Sequence, residues 1–364
     1  MMNRKIKITF ILPSLAAGGA ERILSFVAQH LDSNKFKPTL LIIGYEKDTI
    51  YNLQNLDIIY LNKSRVLKGT FSLFKYFNSV KPDIVVSSIV HLNTLIALIS
   101  ICFPKIKFVA REANVLSVLE KHNPLKKSIF PKFLISYAYK LVDLLICQSK
   151  DMQQDMIANY GVSIDKTVLI NNPITNVFQH KKAARSNPNI LTLITVARLS
   201  KEKGHHRIIE VLSKLKFPFK YIMIGDGNEK DTILNLIEKK ELTEKVEYIK
   251  FTNEVEKYLL KSDIFIQGSY SEGFPNALIE SCVVGTPIVA FNAPGGLDEI
   301  IEIGKNGYIH NTIEDIVDCL NSLNTNFTFN PEIVSEVVKK RFDKNRIILK
   351  YEALFLELMS PNER

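Results

Sequence analysis

Two carboxylates eight residues apart give this 364-residue chain its most specific chemical signature. They lie in Ser271-Glu272-Gly273-Phe274-Pro275-Asn276-Ala277-Leu278-Ile279-Glu280. Pro275 suits the first turn of a helix, and the N–H groups of Asn276, Ala277 and Leu278 then lie at a helix start, where phosphate oxygens are favoured. Carboxylates accept paired hydroxyls. A rise of ~1.5 Å per residue separates Glu272 from Glu280 enough for each to hold a different part of one elongated ligand, Glu280 a ribose and Glu272 a second sugar. The plainer alternative is two acids on a solvated helix.

Three further segments could serve the same ligand. Val196-Ala197-Arg198-Leu199-Ser200-Lys201-Glu202-Lys203-Gly204 offers a forked donor, Arg198, and a point charge, Lys203, suited to a diphosphate; a solvated loop would look similar. Ile224-Gly225-Asp226-Gly227 is a GxG turn lacking the third glycine of a dinucleotide fingerprint. Leu15-Ala16-Ala17-Gly18-Gly19-Ala20-Glu21-Arg22 has consecutive glycines where a strand enters a helix. Its backbone is either a close approach to an anion or simply a tight turn.

Each of these segments follows a short β-branched run, at the strand end where open α/β sheets bind ligands. The runs Ile6–Leu12, Thr39–Ile43, Asp57–Leu61, Asp83–Ser87, Lys107–Ala110, Asp143–Cys147 and Val168–Ile170 read as strands of a first half. Ile190–Val196, Lys220–Ile224, Val246–Ile249, Asp263–Gln267 and Pro287–Ala290 read as those of a second. Helical periodicity separates them, as in Ala20–Leu31 with Ile23, Leu24, Val27 and Leu31 on one face. Alternation of this kind predicts parallel, doubly wound sheets. The Asn-, Pro- and Lys-rich stretch 171–189 lacks periodicity and marks a boundary. The expected architecture is α/β, with two Rossmann-like doubly wound domains, 1–175 and 186–343, facing across a cleft, and a terminal segment, 344–364.

The first 180 residues hold 22 Lys and Arg against 12 Asp and Glu, the remainder 25 against 26. A basic half beside a neutral one points to an anionic partner of the first domain. Four scattered cysteines, 102, 147, 282 and 319, exclude a zinc knuckle or a CxxC pair and read as small core residues of a reducing, cytoplasmic compartment. Pro13 and the Glu21-Arg22 pair argue for a buried first strand over a signal peptide. Ser87, Ser88, His91, Asn93 and Thr94 argue for a strand and helix, not a membrane span, in 84–103.

In combination and in this order, Gly18-Gly19-Ala20-Glu21-Arg22, Arg198 with Lys203-Gly204, Gly225-Asp226-Gly227, Glu272 with Glu280, and Gly295-Gly296 with Glu299 resemble the pattern of family 4 glycosyltransferases, which have the GT-B architecture. The resemblance runs from about residue 6 to 345. It implies a retaining hexosyltransferase that takes a nucleotide-sugar, most often UDP-linked, with no bound cofactor and no metal. It implies Arg198 and Lys203 on the diphosphate, Glu280 on the ribose and Glu272 on the donor sugar. Gly225, Gly273, Phe274 and the Asn276–Leu278 turn complete the donor site, and the Gly18-Gly19 loop closes over the donor phosphate and the acceptor. His91, after its strand, falls where family members carry a histidine facing the donor sugar; a structural histidine is the alternative. Arg111 and Glu112, at another strand end, are expected on the acceptor side or as a plain ion pair. The last helix, about 344–358, is expected to cross back onto the first domain.

No acidic pair of DxD type stands at a strand end to hold Mg²⁺, so fixed cations and helix N–H groups are expected to neutralise the departing diphosphate. Lys121–Lys140 mixes lysines with Ile129, Phe130, Phe133, Leu134, Tyr137 and Tyr139. It could lie on an anionic membrane face near a glycan or polyprenyl-linked acceptor, or be an ordinary surface helix. A sugar-nucleotide epimerase of related architecture is the rival enzyme. A basic nucleic-acid-binding protein is the rival from another class, but no helix-turn-helix, RRM or zinc module is present.

Overall fold

The computed structural model describes residues 4–360 apart from 17, 52, 123–128 and 186. The chain divides into two compact units, Met1–Asn114, Lys127–Thr175 and Lys344–Arg364 forming one, Val115–Lys126 and Asn176–Asp343 the other.

The first unit is built on a parallel sheet of β1 Ile6–Leu12, β2 Phe36–Ile42, β3 Asp57–Tyr60, β4 Ile84–Ser88, β5 Lys107–Arg111, β6 Leu144–Cys147 and β7 Thr167–Leu169, in the order β3-β2-β1-β4-β5-β6-β7. Successive side chains enter opposite layers, which is why the strands are apolar on both faces. Phe10 and Leu12 pack with Ile23 and Leu24 of the helix Gly19–His30, whereas Ile11 packs with Leu73, Phe77 and Leu92 of the helices Thr70–Val80 and Val90–Ser100. The last helix, Lys344–Met359, belongs to the first of these layers. Phe355 meets Phe10 and Phe36 edge-on at 6.2 Å, and Glu352 accepts the Asp32 N–H at 2.7 Å.

The second unit has a parallel sheet of β8 Leu191–Val196, β9 Phe219–Ile224, β10 Val246–Ile249, β11 Ile264–Gln267, β12 Ile288–Phe291 and β13 Gly307–His310, ordered β10-β9-β8-β11-β12-β13. In both sheets the winding reverses next to the first strand, between β1 and β4 and between β8 and β11. Loops leaving such a pair of strands diverge and leave a crevice at their carboxyl ends.

The structure departs from the sequence reading in five places. Asp83, Asp143 and Asp263 stand just before β4, β6 and β11, where their carboxylates accept the N–H of Lys7, Phe108 and Thr192 on the adjacent strand, each at 2.8 Å. Each pins the register of a neighbour twice, because its own N–H also donates to the carbonyl of that same residue, Lys7, Phe108 or Thr192, at 2.7–2.9 Å. β13 was not expected; Gly307 opens it because a Cβ there would lie 2.4 Å from the Ile288 carbonyl oxygen. The helix Leu116–His122 groups with the second unit although it falls within 1–175. Part of the aperiodic stretch is docked: Lys181 is buried, with its N–H on the Val284 carbonyl and its ammonium on that of Ser262. Finally, Cys147 and Cys282 are core residues, but Cys102 is exposed. Among the described residues, no helix is long and apolar enough to cross a membrane.

Candidate active site

In the second unit, the loops after β8 and β11 meet at the switch point and bring Lys203 to Glu272. The Lys203 ammonium lies 2.6 Å from Glu272 Oε2. The other carboxylate oxygen accepts from Ser269 Oγ at 2.6 Å and Gln267 Nε2 at 3.0 Å. Glu272 is thus held by three donors and is 7% exposed, so its position is set before any ligand arrives. Ser269 and Gln267 were not singled out from the sequence. Gln267 ends a strand that is otherwise apolar, and its polarity there was the available signal.

Glycines let these loops approach. A Cβ on Gly204 would lie 1.9 Å from the Gly268 carbonyl oxygen, and one on Gly225 equally close to that of Ala197. The GDG turn therefore packs directly on the loop carrying Arg198: the Leu199 N–H donates to the Asp226 carbonyl at 3.0 Å. His205 adds a second fixing point. Burial pulls its imidazole down to about 4, so the ring is neutral, and Nε2–H donates to the Arg198 carbonyl at 3.2 Å. Arg198 itself projects as an exposed side chain.

The helix Asn276–Val284 starts one residue later than the proline suggested. Pro275 is the N-cap, with φ −76° and ψ 94°, and supplies no side-chain cap. The first-turn N–H groups at Asn276, Ala277 and Leu278 have no carbonyl one turn earlier within the helix, as at any helix start, although the Leu278 N–H reaches back to Pro275. Of the residues expected to bind the donor, Phe274 and Leu278 are buried, Phe274 edge-on against Phe342 at 5.3 Å, so they can offer only backbone. Glu280 is half-buried in the second turn of the helix. Gly295, with φ +125°, closes against the loop: a Cβ would lie 2.5 Å from the Glu272 carbonyl oxygen, and the Glu272 N–H donates to Pro294 at 2.9 Å.

Gly18 and Gly19 of the expected donor set, His91 expected to face the donor sugar, and Arg111 and Glu112 expected on the acceptor side all lie in the first unit. Gly18 caps the helix Gly19–His30 in an extended conformation, and its N–H donates to the Tyr51 hydroxyl at 3.0 Å while that hydroxyl donates back to the Gly18 carbonyl at 2.8 Å. The Gly18 amide is therefore engaged by the Tyr51 hydroxyl, and Tyr51 is a neighbour of the Gly18-Gly19 loop that was not singled out from the sequence. His91 is half-buried in the first turn of the helix Val90–Ser100, and burial lowers its pKa. The N-cap before it, Ile89, has φ +77°, a region a β-branched residue avoids.

Arg111 and Glu112 do not form the ion pair considered above, and neither presents a surface to an acceptor, since both are fully buried. Neighbours at a strand end point to opposite faces. Arg111 donates to Asn172 Oδ1 at 2.6 Å and the Tyr351 hydroxyl at 3.3 Å. Glu112 accepts from the Ala113 N–H at 2.8 Å and from the Tyr139 hydroxyl. Burial pushes its carboxyl up to about 7, against the opposing effect of those hydrogen bonds.

Sequence comparison matches residues 17–176 to the family described as Glycosyltransferase Family 4 and residues 176–327 to Glycosyl transferases group 1. The chain is 31% identical over 307 residues to the N-acetylgalactosamine-N,N'-diacetylbacillosaminyl-diphospho-undecaprenol 4-alpha-N-acetylgalactosaminyltransferase of Campylobacter jejuni, covering 81% of this chain and 83% of that one. The chain belongs to glycosyltransferase family 4. This family 4 enzyme is also 25% identical to the O-antigen biosynthesis glycosyltransferase WclY of Escherichia coli, over 97% of its own length and 99% of the relative's. Its fold is the GT-B fold of Anabaena Alr3699/HepE, solved in complex with UDP-glucose, with TM-score 0.80 and 20% identity over 97% of this chain and all of that one. Family membership makes the chemistry glycosyl transfer and sets aside the epimerase reading.

Proposed function

We propose that this glycosyltransferase moves a hexose or N-acetylhexosamine from a UDP-sugar, with retention and without a metal, to a glycan or polyprenyl-linked acceptor during assembly of a bacterial capsule or lipopolysaccharide. The observation that carries the reading is the Lys203–Glu272 pair, 2.6 Å apart at the β8–β11 switch point. It sets a cation suited to a diphosphate beside a carboxylate suited to sugar hydroxyls. Support for UDP comes from Alr3699/HepE, solved with UDP and glucose; support for a lipid-linked acceptor comes from the Campylobacter relative. Relatives named for O-antigen and amylovoran biosynthesis support the polysaccharide setting.

In this reading Glu280 holds the ribose, Arg198 and Lys203 the diphosphate, and the first-turn N–H groups of the helix Asn276–Val284 add positive potential where the leaving oxygen gains charge. Glu272 orients the sugar. The bond from the anomeric carbon to the phosphate oxygen breaks through an oxocarbenium-like transition state as the acceptor oxygen attacks from the same face. The acceptor proton passes to the departing phosphate. His91, with its pKa lowered by burial, serves as a neutral hydrogen-bonding partner on the sugar side.

Peripheral association with the inner face of the cytoplasmic membrane belongs to the same proposal. In the helix Lys132–Leu141 and just before it, Ile129, Phe133 and Tyr137 recur at four-residue spacing and are 65%, 75% and 53% exposed, with Lys132 and Lys140 exposed beside them. Residues 123–128 of the expected amphipathic stretch lie outside the described residues. The test is a panel of UDP-hexoses and UDP-N-acetylhexosamines with undecaprenyl-diphosphate-linked acceptors, with and without EDTA, and the anomeric configuration of the product read by NMR. Transfer with retention, insensitive to EDTA and lost in Lys203→Ala and Glu272→Ala, is expected. Turnover intact in both variants contradicts the site.

A further inference from the structure

Behind the loop that presents Glu272 lies a cation that the proposed reaction does not use directly. Arg207 is the third residue of the helix His205–Lys214, where a sequence reading sees only the polar side of an amphipathic helix. Its Nε donates to the Gly268 carbonyl at 2.7 Å and its Nη2 to that of Ser269. The guanidinium carbon lies 3.8 Å from the ring centroid of Tyr270 and 4.2 Å from that of Phe291, the last residue of β12. We propose that Arg207 is a positioning residue of the donor site, fixing the turn Gly268–Ser269 so that Ser269 and Lys203 can hold Glu272 in its sugar-binding orientation.

The turn is held on its other sides by the Tyr270 hydroxyl, which meets His206 Nε2 at 2.8 Å, and by the backbone contact of Gly204 with Gly268, but its two carbonyls are bonded by Arg207. Two consecutive carbonyls point at Arg207, and the next residue's N–H is taken by the Glu202 carbonyl at 2.8 Å. With its carbonyls and that N–H directed backwards, the turn carries Ser269 Oγ forward to Glu272 Oε1 at 2.6 Å. A planar fork matches two adjacent carbonyls while lying on aromatic faces; an ammonium can do one or the other, so lysine is not an equivalent replacement. Burial lowers the Arg207 pKa to about 10, which leaves it fully charged at neutral pH.

The inference rests on the proposed role of Glu272, and its test separates the two. Wild type, Arg207→Lys and Arg207→Met are compared in three measurements: transfer kinetics with whichever UDP-sugar the wild type turns over, calorimetric UDP binding, and acylation of Lys203 followed by peptide mass spectrometry. Displacing a positioning group by about an ångström costs about 100-fold in rate. Arg207→Lys is therefore expected to lower kcat about 10- to 100-fold while UDP affinity, set by Arg198, Glu280 and a Lys203 that keeps its charge, stays within about 3-fold. Lys203, released from its partner, should acylate several-fold faster. Millimolar guanidinium should partly restore kcat to Arg207→Gly, a rescue that a misfolded protein would not show. The inference is overturned if Arg207→Lys keeps kcat and Lys203 reactivity within about 2-fold of wild type, or if UDP binding and thermal midpoint collapse together with kcat. If wild type turns over no UDP-sugar, the donor reading fails, yet Lys203 acylation still decides whether Arg207 sets the loop.

Discussion

Replacing Glu272 by glutamine keeps the shape of the side chain and removes its charge, which isolates what the carboxylate contributes. Three donors converge on it: Lys203 at 2.6 Å, Ser269 at 2.6 Å and Gln267 at 3.0 Å. The Lys203 and Glu272 side chains are 22% and 9% exposed, so this pair is far less screened than a surface ion pair. Removing one partner of a buried pair costs ~3–5 kcal/mol; with Lys203 still partly wet, ~2–4 kcal/mol is the expectation for Glu272→Gln. For a unit of this size, that lowers the thermal midpoint by roughly 5–12 °C. Lys203→Met alone should cost a similar amount, and the double variant little more than either, giving a coupling of ~1.5–3 kcal/mol. Urea unfolding of the four proteins, followed by circular dichroism, measures it. A coupling below ~0.5 kcal/mol would mean that the pair behaves like a solvated surface contact. The site would then lose its preformed character.

Four other outcomes follow from particular residues. Glu112 has a folded pKa near 7 against an ordinary carboxyl value of 4.5. The fold therefore retains a proton that the unfolded chain releases, and this contribution is complete below pH 4.5 and lost as pH rises through 7. Wild type should lose on the order of 3 kcal/mol across that window relative to Glu112→Gln in pH-dependent urea unfolding; parallel curves would refute the assignment. Gly295→Ala should lower both stability and transfer rate, since its Cβ would lie 2.5 Å from the Glu272 carbonyl oxygen. Gly304→Ala, at φ +78° with open space around it, should cost only the ~1–2 kcal/mol of a left-handed residue and leave kcat unchanged. Phe133→Ser should reduce co-sedimentation with phosphatidylglycerol vesicles about 10- to 100-fold while leaving the thermal midpoint unchanged, because burying a phenylalanine side chain is worth ~1.5–3 kcal/mol and Phe133 is exposed here.

How much could be read from residues alone differs between backbone and site. Strands such as Ile6–Leu12 were legible because a parallel strand covered on both faces is a bounded β-branched run. Gly307–His310 was not, because its glycine, required by the Ile288 carbonyl, reads as a turn. Asp83, Asp143 and Asp263 look like strand starts and do bond the neighbouring strand through their N–H groups, but that their carboxylates bond it as well has no periodic signature. In the site, Lys203 and Glu272 could each be picked out by type and spacing, but that they meet depends on β8 and β11 being adjacent, which only the sheet order determines. Arg207, Ser269 and Tyr51 support the loops through carbonyls and hydroxyls, contacts with no periodic signature. Arg111 and Glu112 carry the opposite lesson: adjacent charges at a strand end suggest a surface role, yet both are internal ties to Asn172, Tyr351 and Tyr139.

Whether the crevice of the second unit holds a nucleoside diphosphate is asked most directly by isothermal titration of UDP into the intact protein. Saturable binding that weakens at least about 10-fold in Arg198→Ala and again in Glu280→Ala is the predicted result, since a charge-assisted hydrogen bond is worth ~1.5–3 kcal/mol. Absence of heat with UDP and with every other nucleoside diphosphate, in a protein that unfolds cooperatively, would contradict it.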